Sequence, residues 1–363
     1  MAALAPLRDR RKKDALSTRD HACFPAGRAT RWLHRRLGSA VTVSYAAAVL
    51  LPGPGMWLRH PHPLLPAGAL AVSPTPALLG LVLFAAGLQV PLGAAGGLLR
   101  RPRALLAGLF LRLTIPLLTI PVVAFLLRQT PDTDGGTGLV TAMAVIVAMP
   151  VAAGATVWAG NGRGDQPTMV GIVLGSTLLS PLTVPLVLDA LGPLLTTANG
   201  HALIGSRSGP QGGSALTAVV LPCAAGLLCR LLLPGTWAAK AVTVVVPAAL
   251  VGSLTLTYLN ASGALGPFLA RPRPLLLGAA LAAAGLVCLL SFGAGHGIAR
   301  LLRLDAPSAT SFTLACGMNN SSAGAVMLTV ALPDKPHLLM PVLAYGLFQK
   351  TAANRVVRMR ASR

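Results

Sequence analysis

Four consecutive amide and hydroxyl side chains, Asn319 to Ser322, interrupt an apolar stretch and are the residues best suited to bind a ligand. Side-chain amides both donate and accept hydrogen bonds, and two adjacent amides point to different faces of a helix. Packing alone therefore leaves Asn319 and Asn320 poorly satisfied, whereas Ser322 and Gly324 are typical of close helix contacts. We predict a helix break at Gly317 and a binding site beside it. The residues predicted to line it are Cys316, Met318, Asn319, Asn320 and Ser321.

A second apolar stretch, residues 149–156, contains Pro150 and Gly154. Proline lacks a backbone donor, and glycine loses more conformational freedom than other residues when it becomes helical. We therefore predict a second helix break here. Transporters place their substrate sites where two such interrupted helices meet near the middle of the membrane.

Two cations also lie inside apolar segments, Arg112 and Lys350. A charge at the centre of a membrane helix costs about 3 kcal/mol on insertion scales, so it usually faces a cavity or a partner. Asp189 is the one acidic residue within the predicted spans, and it lies near a helix end. The two cations therefore favour an anionic ligand, although Lys350 could instead extend its long side chain to the membrane surface.

The elements that must position these residues are membrane spans. Hydrophobic residues make up 54% of the chain and charged residues 11%, and about 20 apolar residues cross a bilayer as a helix. The sequence predicts an all-α polytopic membrane protein with about ten transmembrane helices. These spans are 38–57, 76–94, 103–127, 137–160, 167–190, 214–234, 240–258, 274–297, 308–331 and 336–354.

The spans divide into two sets of five, residues 38–190 and 214–356, separated by a polar connector over 191–213. An Arg-Pro-Arg string recurs within 99–106 and 269–276, opening the third helix of each set. An odd number of spans inverts the second set relative to the first, which is typical of secondary transporters. We predict two inverted five-helix repeats with discontinuous helices 4 and 9.

The net charge of +21 follows from basic termini and short loops. Ten of the 30 Lys and Arg residues precede position 37. The basic, non-apolar segment 1–37 predicts a disordered cytoplasmic tail rather than a signal peptide. An overextended reading frame could equally account for this segment. Positively charged loops predict a protein of the cytoplasmic membrane whose two termini both lie in the cytoplasm, including the basic C-terminus 357–363. We expect no nucleic-acid partner, and the five scattered cysteines indicate neither disulfides nor a zinc site.

Several motifs resemble the bile acid:sodium symporter family over nearly all of residues 40–356. The similar segments are 79–88 with the following Arg-rich loop, 176–185, and 299–305 with 317–321. The resemblance implies a panel-and-core architecture in which two broken helices cross beside two sodium ions and an organic anion. The lipid bilayer and that anion are the implied partners.

Several family positions hold different residues in this chain. Ala315 stands where the family has a sodium-binding glutamate, and Ala155 and Thr156 replace its Ser-Asn pair on the fourth helix. The family's glutamine on the third helix aligns with Arg112. The two residues that align with its His-Asn pair on the last helix are Gln349 and Lys350.

Sodium prefers several oxygen ligands, and these replacements remove a carboxylate and add a guanidinium. Sodium could still be bound at Met318 and Asn319, but no other metal or cofactor is expected. We interpret Arg112 as a fixed charge that supplies part of what bound sodium supplies in the family.

The sequence therefore predicts a secondary transporter for a small organic anion. Alternatives are an arsenite-efflux permease or a cation/proton exchanger on a related fold, and a non-transporting sensor. An enzyme is not expected, because the spans contain no Ser/His or paired-carboxylate arrangement. The sequence does not indicate the oligomeric state.

Overall fold

The computed structural model describes residues 37–59, 62–63, 71–72, 74–89, 102–127, 137–195, 203, 212–270, 272–332 and 335–361. Over these ranges the chain is almost entirely helical, which confirms the predicted helical class. Nearly all of the predicted tail and most of the 191–213 connector lie outside the described residues.

Fourteen α-helices are present in the described part of the chain. The first half contains α1 (Leu37–Leu50), α2 (Pro52–Arg59), α3 (Pro74–Leu88), α4 (Pro102–Leu127), α5 (Thr137–Ala148), α6 (Ala155–Asn161), α7 (Gln166–Leu178) and α8 (Ser180–Ala190). The second half contains α9 (Gly212–Leu232), α10 (Gly235–Ala270), α11 (Pro274–Leu301), α12 (Ala306–Gly317), α13 (Ser321–Ala331) and α14 (Leu339–Ala361). A minimal antiparallel pair joins β1 (His62–Pro63) to β2 (Ala71–Val72), with His62 opposite Val72.

Three of the described helices are long and apolar enough to cross a bilayer, within α4, α10 and α11. The number rises to five if each of two bent helix pairs counts as one span. Both copies of the Arg-Pro-Arg string lead into one of these helices, since Pro102 opens α4 and Pro274 opens α11. Proline suits the first helical turn, where its missing N–H would have no partner.

The bent pairs differ from the prediction, which has continuous helices over 38–57 and 167–190. The structure bends the first by 94° between α1 and α2 and the second by 71° between α7 and α8. Each new helix has a proline in its first turn, Pro52 in α2 and Pro181 in α8. Proline has no N–H with which to continue the hydrogen bonding of the preceding helix, which accounts for a change of direction near both prolines.

The predicted interruptions of the fourth and ninth spans are present. Residues 149–154 separate α5 from α6, and residues 318–320 separate α12 from α13. By contrast, two spans are longer than predicted, because α10 continues to Ala270 and α14 to Ala361.

The helices pack as two groups. α3 packs against α9 and α10, and α1 and α2 pack against α10; we call these five helices the panel group. α11 packs against α4, α12 and α14, while α4 also packs against α5 and α7. These helices, together with α6, α8 and α13, form the core group and contain both interruptions.

Within the panel group, α3 and α9 approach each other at two glycines. A Cβ atom on Gly87 would collide with the carbonyl oxygen of Cys223, and one on Gly226 would collide with the carbonyl oxygen of Phe84. Small residues allow such close backbone contact between membrane helices. The backbones of α3 and α9 are therefore in close contact.

Within the core group, two similar loops meet at the end away from the interruptions. Residues 163–168 and 303–308 share the pattern Arg-x-Asp-x-Pro-Thr/Ser, and both arginines have positive φ, 53° at Arg163 and 50° at Arg303. The Asp165 N–H donates to the Pro307 carbonyl at 3.1 Å, and the Ser311 hydroxyl donates to the Asp165 carbonyl at 2.9 Å. These bonds tie the α6–α7 loop to α12.

Candidate functional site at the helix crossing

The two interrupted segments bond directly to each other. Val151 and Asn319 form an isolated antiparallel bridge, in which the Ala152 N–H donates to the Met318 carbonyl at 2.9 Å. The Asn320 N–H donates to the Pro150 carbonyl, also at 2.9 Å. Backbone groups freed by a helix break must find partners inside a membrane protein, and here each break supplies partners for the other.

Arg112 connects the two breaks through its guanidinium. This side chain on α4 is 7% exposed, and its Nη1 donates to the Asn319 Oδ1 at 2.5 Å. Its Nη2 donates to the Val147 carbonyl at 3.2 Å and to the Met149 carbonyl. Carbonyls at the C-terminal end of a helix carry partial negative charge, so the cation is matched to the end of α5.

The Asn319 side chain is completely buried, and both ends of its amide are bonded. Its Oδ1 accepts from Arg112, and its Nδ2 donates to the Tyr345 hydroxyl at 2.8 Å. Tyr345 in turn donates to the Gly317 carbonyl at 3.0 Å. The Asn319 backbone N–H donates to the Gln349 Oε1 at 2.8 Å. Asn319 is therefore the junction between α4, the second break and α14.

Asn320 caps α13, and Ser321 is the first residue of that helix. The Asn320 Oδ1 accepts from the Ala323 N–H at 3.1 Å, which is a normal N-cap arrangement. The Ser321 hydroxyl is half-buried and accepts from the Gln349 Nε2 at 3.4 Å. The two amides predicted as one site thus divide, because Asn319 serves the crossing and Asn320 serves the helix that follows.

Cys316, Gly317 and Met318 are all buried at the end of α12. A Cβ atom on Gly317 would collide with the ring of Phe292. Met318 contributes its carbonyl to the bridge with Ala152. These three residues lie at the predicted break, and their described contacts are those of packing and backbone bonding.

The first break presents few side-chain polar groups of its own. Ala155 is buried, and the half-buried Thr156 donates its hydroxyl to the Ala153 carbonyl at 2.8 Å. Gly154 is exposed, and apart from its neighbours in the chain no described residue has an atom within 4 Å of the position its Cβ would occupy. The described residues therefore leave open space beside the start of α6.

Lys350 lies on α14 on the face that packs against α6. Val357 lies two turns further along α14, beside Gly162 at the end of α6. A Cβ atom on Gly162 would lie 3.2 Å from the Val357 Cγ2. Positions seven apart share a helix face, so Lys350 belongs to the same face of α14 as Val357. It is half-buried, and the described residues provide it with neither a hydrogen-bond acceptor nor a carboxylate.

The crossing does not fit the usual sodium chemistry. Three oxygens that converge at the crossing, those of Val147, Met149 and Asn319, already accept from Arg112. A sodium ion on the same oxygens would lie next to the guanidinium charge in a buried setting, where like-charge repulsion is weakly screened. No cluster of His, Cys, Asp or Glu suited to a metal occurs among the described residues.

The sequence did not predict two of the residues that lie at the crossing. The Ser176 hydroxyl on α7 accepts from the Val151 N–H at 3.1 Å, and the Tyr345 hydroxyl bonds both Asn319 and Gly317. The spacing of Tyr345 and Gln349, one helical turn apart, could have indicated a shared polar face. Ser176 gave no such signal, because hydroxyl groups in membrane helices commonly bond their own helix.

Comparison with known proteins gives the same class of molecule. The model of the sodium bile acid symporter family matches residues 76–271. An uncharacterized sodium-dependent transporter of Bacillus subtilis, YocS, is 27% identical over 69% of this chain and 72% of its own length. An uncharacterized protein of the same organism, YbaS, is 24% identical over 77% of this chain and 85% of its own length. With a crossing of two interrupted helices and a family match over more than half of its length, the chain belongs to the sodium bile acid symporter family.

Proposed function

We propose that this membrane transporter moves a small organic anion and that Arg112 provides, as a fixed charge, what sodium provides in sodium-coupled relatives. The observation that carries the proposal is the bonding of Arg112 to the Val147 and Met149 carbonyls and to the Asn319 amide oxygen. Neutral oxygens converging on one point are the environment of a bound cation. Here that point holds a guanidinium.

We propose that the anion binds in the space beside Gly154, at the start of α6. Lys350 faces this side of the crossing without a described counter-ion, and Ser321 lies half-buried at the start of α13. An ammonium group and hydroxyl donors suit a carboxylate. Arg112 contributes positive potential from behind the crossing without needing to touch the anion.

We further propose that the chain consists of two inverted repeats in the cytoplasmic membrane with both termini inside. The antiparallel bridge between Val151 and Asn319 supports inversion, since it brings the two interrupted segments together in opposite directions. Exposed arginines in the two similar loops and at the end of α14 support the orientation. Reporter fusions at the C-terminus test it, and a periplasmic signal would contradict it.

Uptake into proteoliposomes tests the function. Purified protein is reconstituted and assayed with labelled carboxylates of different size, such as pyruvate, citrate and cholate, in sodium or in choline buffer. We expect uptake of at least one anion at equal rates in the two buffers. A steep requirement for sodium would overturn the role of Arg112, and absence of flux with every anion class would favour a non-transporting sensor.

A matched pair of variants separates the two cations. Arg112→Gln restores the residue type that aligns in the family, so we expect uptake to become dependent on sodium. Lys350→Gln should weaken anion binding, seen as loss of the thermal stabilisation that the anion gives, without creating a sodium requirement. The same response to sodium in both variants would contradict separate roles.

A further inference from the structure

Arg59, which is half-buried, joins the panel group to the core group. Its Nη1 donates to the Leu259 carbonyl at 3.3 Å and lies 3.5 Å from the Asn260 Oδ1, both on α10. Its Nη2 donates to the Thr329 hydroxyl on α13 at 2.8 Å. One side chain at the end of α2 thus bonds a neighbouring panel helix and a core helix.

The Arg59 guanidinium packs against α10 at a glycine. A Cβ atom on Gly263 would lie 2.6 Å from the Arg59 Cζ, so any larger residue there would displace the guanidinium. All its described acceptors are neutral oxygens. A guanidinium without a carboxylate is held by the geometry of its several acceptors, and moving α13 away would remove the shortest of them.

A second bond between the groups lies near the same end. The Tyr45 hydroxyl on α1 donates to the Leu343 carbonyl, at the start of α14, at 3.2 Å. The two helices that follow the breaks differ accordingly, because α13 packs against α3, α9 and α10 of the panel group. α6 packs against α7, α12 and α14 of the core group, and Gly154 at its start faces open space.

We propose that Arg59 is a positioning residue that latches the panel group to the core group and holds the protein in a state closed at this end. For the crossing to reach the opposite side of the membrane, Arg59 must release Thr329 while keeping its bonds to α10. The inference rests on the chain's being a transporter whose two helix groups move. It does not depend on which anion or coupling ion is used.

The test measures the distance between the groups near the latch, without any substrate. Spin labels are placed at position 53 on α2 and position 331 on α13, in a background with the native cysteines replaced by alanine. Thr329→Val removes the acceptor that Arg59 has on α13 while preserving side-chain shape. Arg59→Gln removes the charge and the fork of donors. Both variants are compared in reconstituted full-length protein.

We expect both variants to enlarge a longer-distance population by about threefold to tenfold, the range that interhelical hydrogen bonds in membranes support. Thr255→Val is the matched control, because the hydrogen bond that the Thr255 hydroxyl makes within the described part of the chain is to the Val251 carbonyl of its own helix, at 3.1 Å. An unchanged distance distribution in Thr329→Val, or an equal change in Thr255→Val, would overturn the latch. Sodium-independent uptake could fail while this result stands, so the two proposals are separable.

Discussion

The break between α5 and α6 and the break between α12 and α13 bond to each other, yet they satisfy their polar groups differently. The first consists of aliphatic and glycine residues, and its side-chain partners come from other helices, Arg112 on α4 and Ser176 on α7. The second carries its own amides, Asn319 and Asn320, and adds Tyr345 from α14.

The difference shows where information about a broken helix resides. A break that provides its own polar side chains can be recognised in its local sequence. A break whose carbonyls are matched by a distant cation leaves its signal at that cation, here Arg112, 35 residues before its partner Val147. The following substitutions test whether the two breaks are stabilised in these two ways.

Arg112→Ala should have the largest effect, because it removes the donor shared by both breaks. Three buried acceptors would lose their partner, and unsatisfied buried polar groups are costly. We expect the free energy of unfolding to fall by about 3 kcal/mol, measured by denaturation in mixed micelles. Arg300→Ala, at an exposed arginine on α11, is the control. Equal stability of the two variants would show that Arg112 does not hold the crossing.

Asn319→Ala should follow, with a loss of about 2 kcal/mol. It leaves the guanidinium bonded to the first break but removes the donor to the Tyr345 hydroxyl and the guanidinium's link to the second break, while Tyr345 keeps its bond to the Gly317 carbonyl. Asn354→Ala, at a half-buried amide on α14, serves for comparison. If Asn319→Ala cost as little as Asn354→Ala, the second break would not depend on its own amides.

Ser176→Ala examines the first break alone and should cost about 1.5 kcal/mol, because the Val151 N–H is then buried without its acceptor. The neighbouring Thr177 donates to the Val173 carbonyl of its own helix at 2.7 Å. Thr177→Val should therefore cost clearly less in the same unfolding measurement. The reverse order would mean that the first break does not rely on α7.

Asn320→Ala should have the smallest effect, about 1 kcal/mol, the usual worth of a helix N-cap. Asn320→Ser should recover most of this loss, since serine can also accept from the N–H three residues on. The readout is the unfolding free energy of the two variants side by side. An Asn320→Ser protein as unstable as Asn320→Ala would indicate that Asn320 has a role beyond capping α13.

The sequence predicted the two interruptions because each has a local cause. Pro150 and Gly154 disfavour helix, and Asn319 and Asn320 compete for backbone groups. Arg112 was found for a different reason, the cost of a charge in an apolar span. Its partners could not be predicted, since a bond between α4 and residue 319 depends on tertiary packing alone.

The bends at Leu51 and Leu179 were missed, although prolines follow both positions. Hydropathy averages over a window and is insensitive to a change of direction within an apolar run. The role of Ser176 was missed for a similar reason. A hydroxyl in a helix can bond its own backbone or that of a neighbouring helix, and the local sequence is the same in both cases. Which backbone the hydroxyl bonds depends on where the neighbouring helix lies.

Arg112 has an electrical consequence, because a guanidinium that belongs to the protein never leaves with the cargo. Each positive charge that crosses the full membrane field is worth about 2.3 kcal/mol per 100 mV. If the core group carries Arg112 and Lys350 through part of that field, we expect the return of the empty carrier to depend more strongly on voltage than the step in which a bound anion offsets part of their charge. Transient currents recorded without substrate would reveal it, and their absence would place Arg112 outside the moving charge.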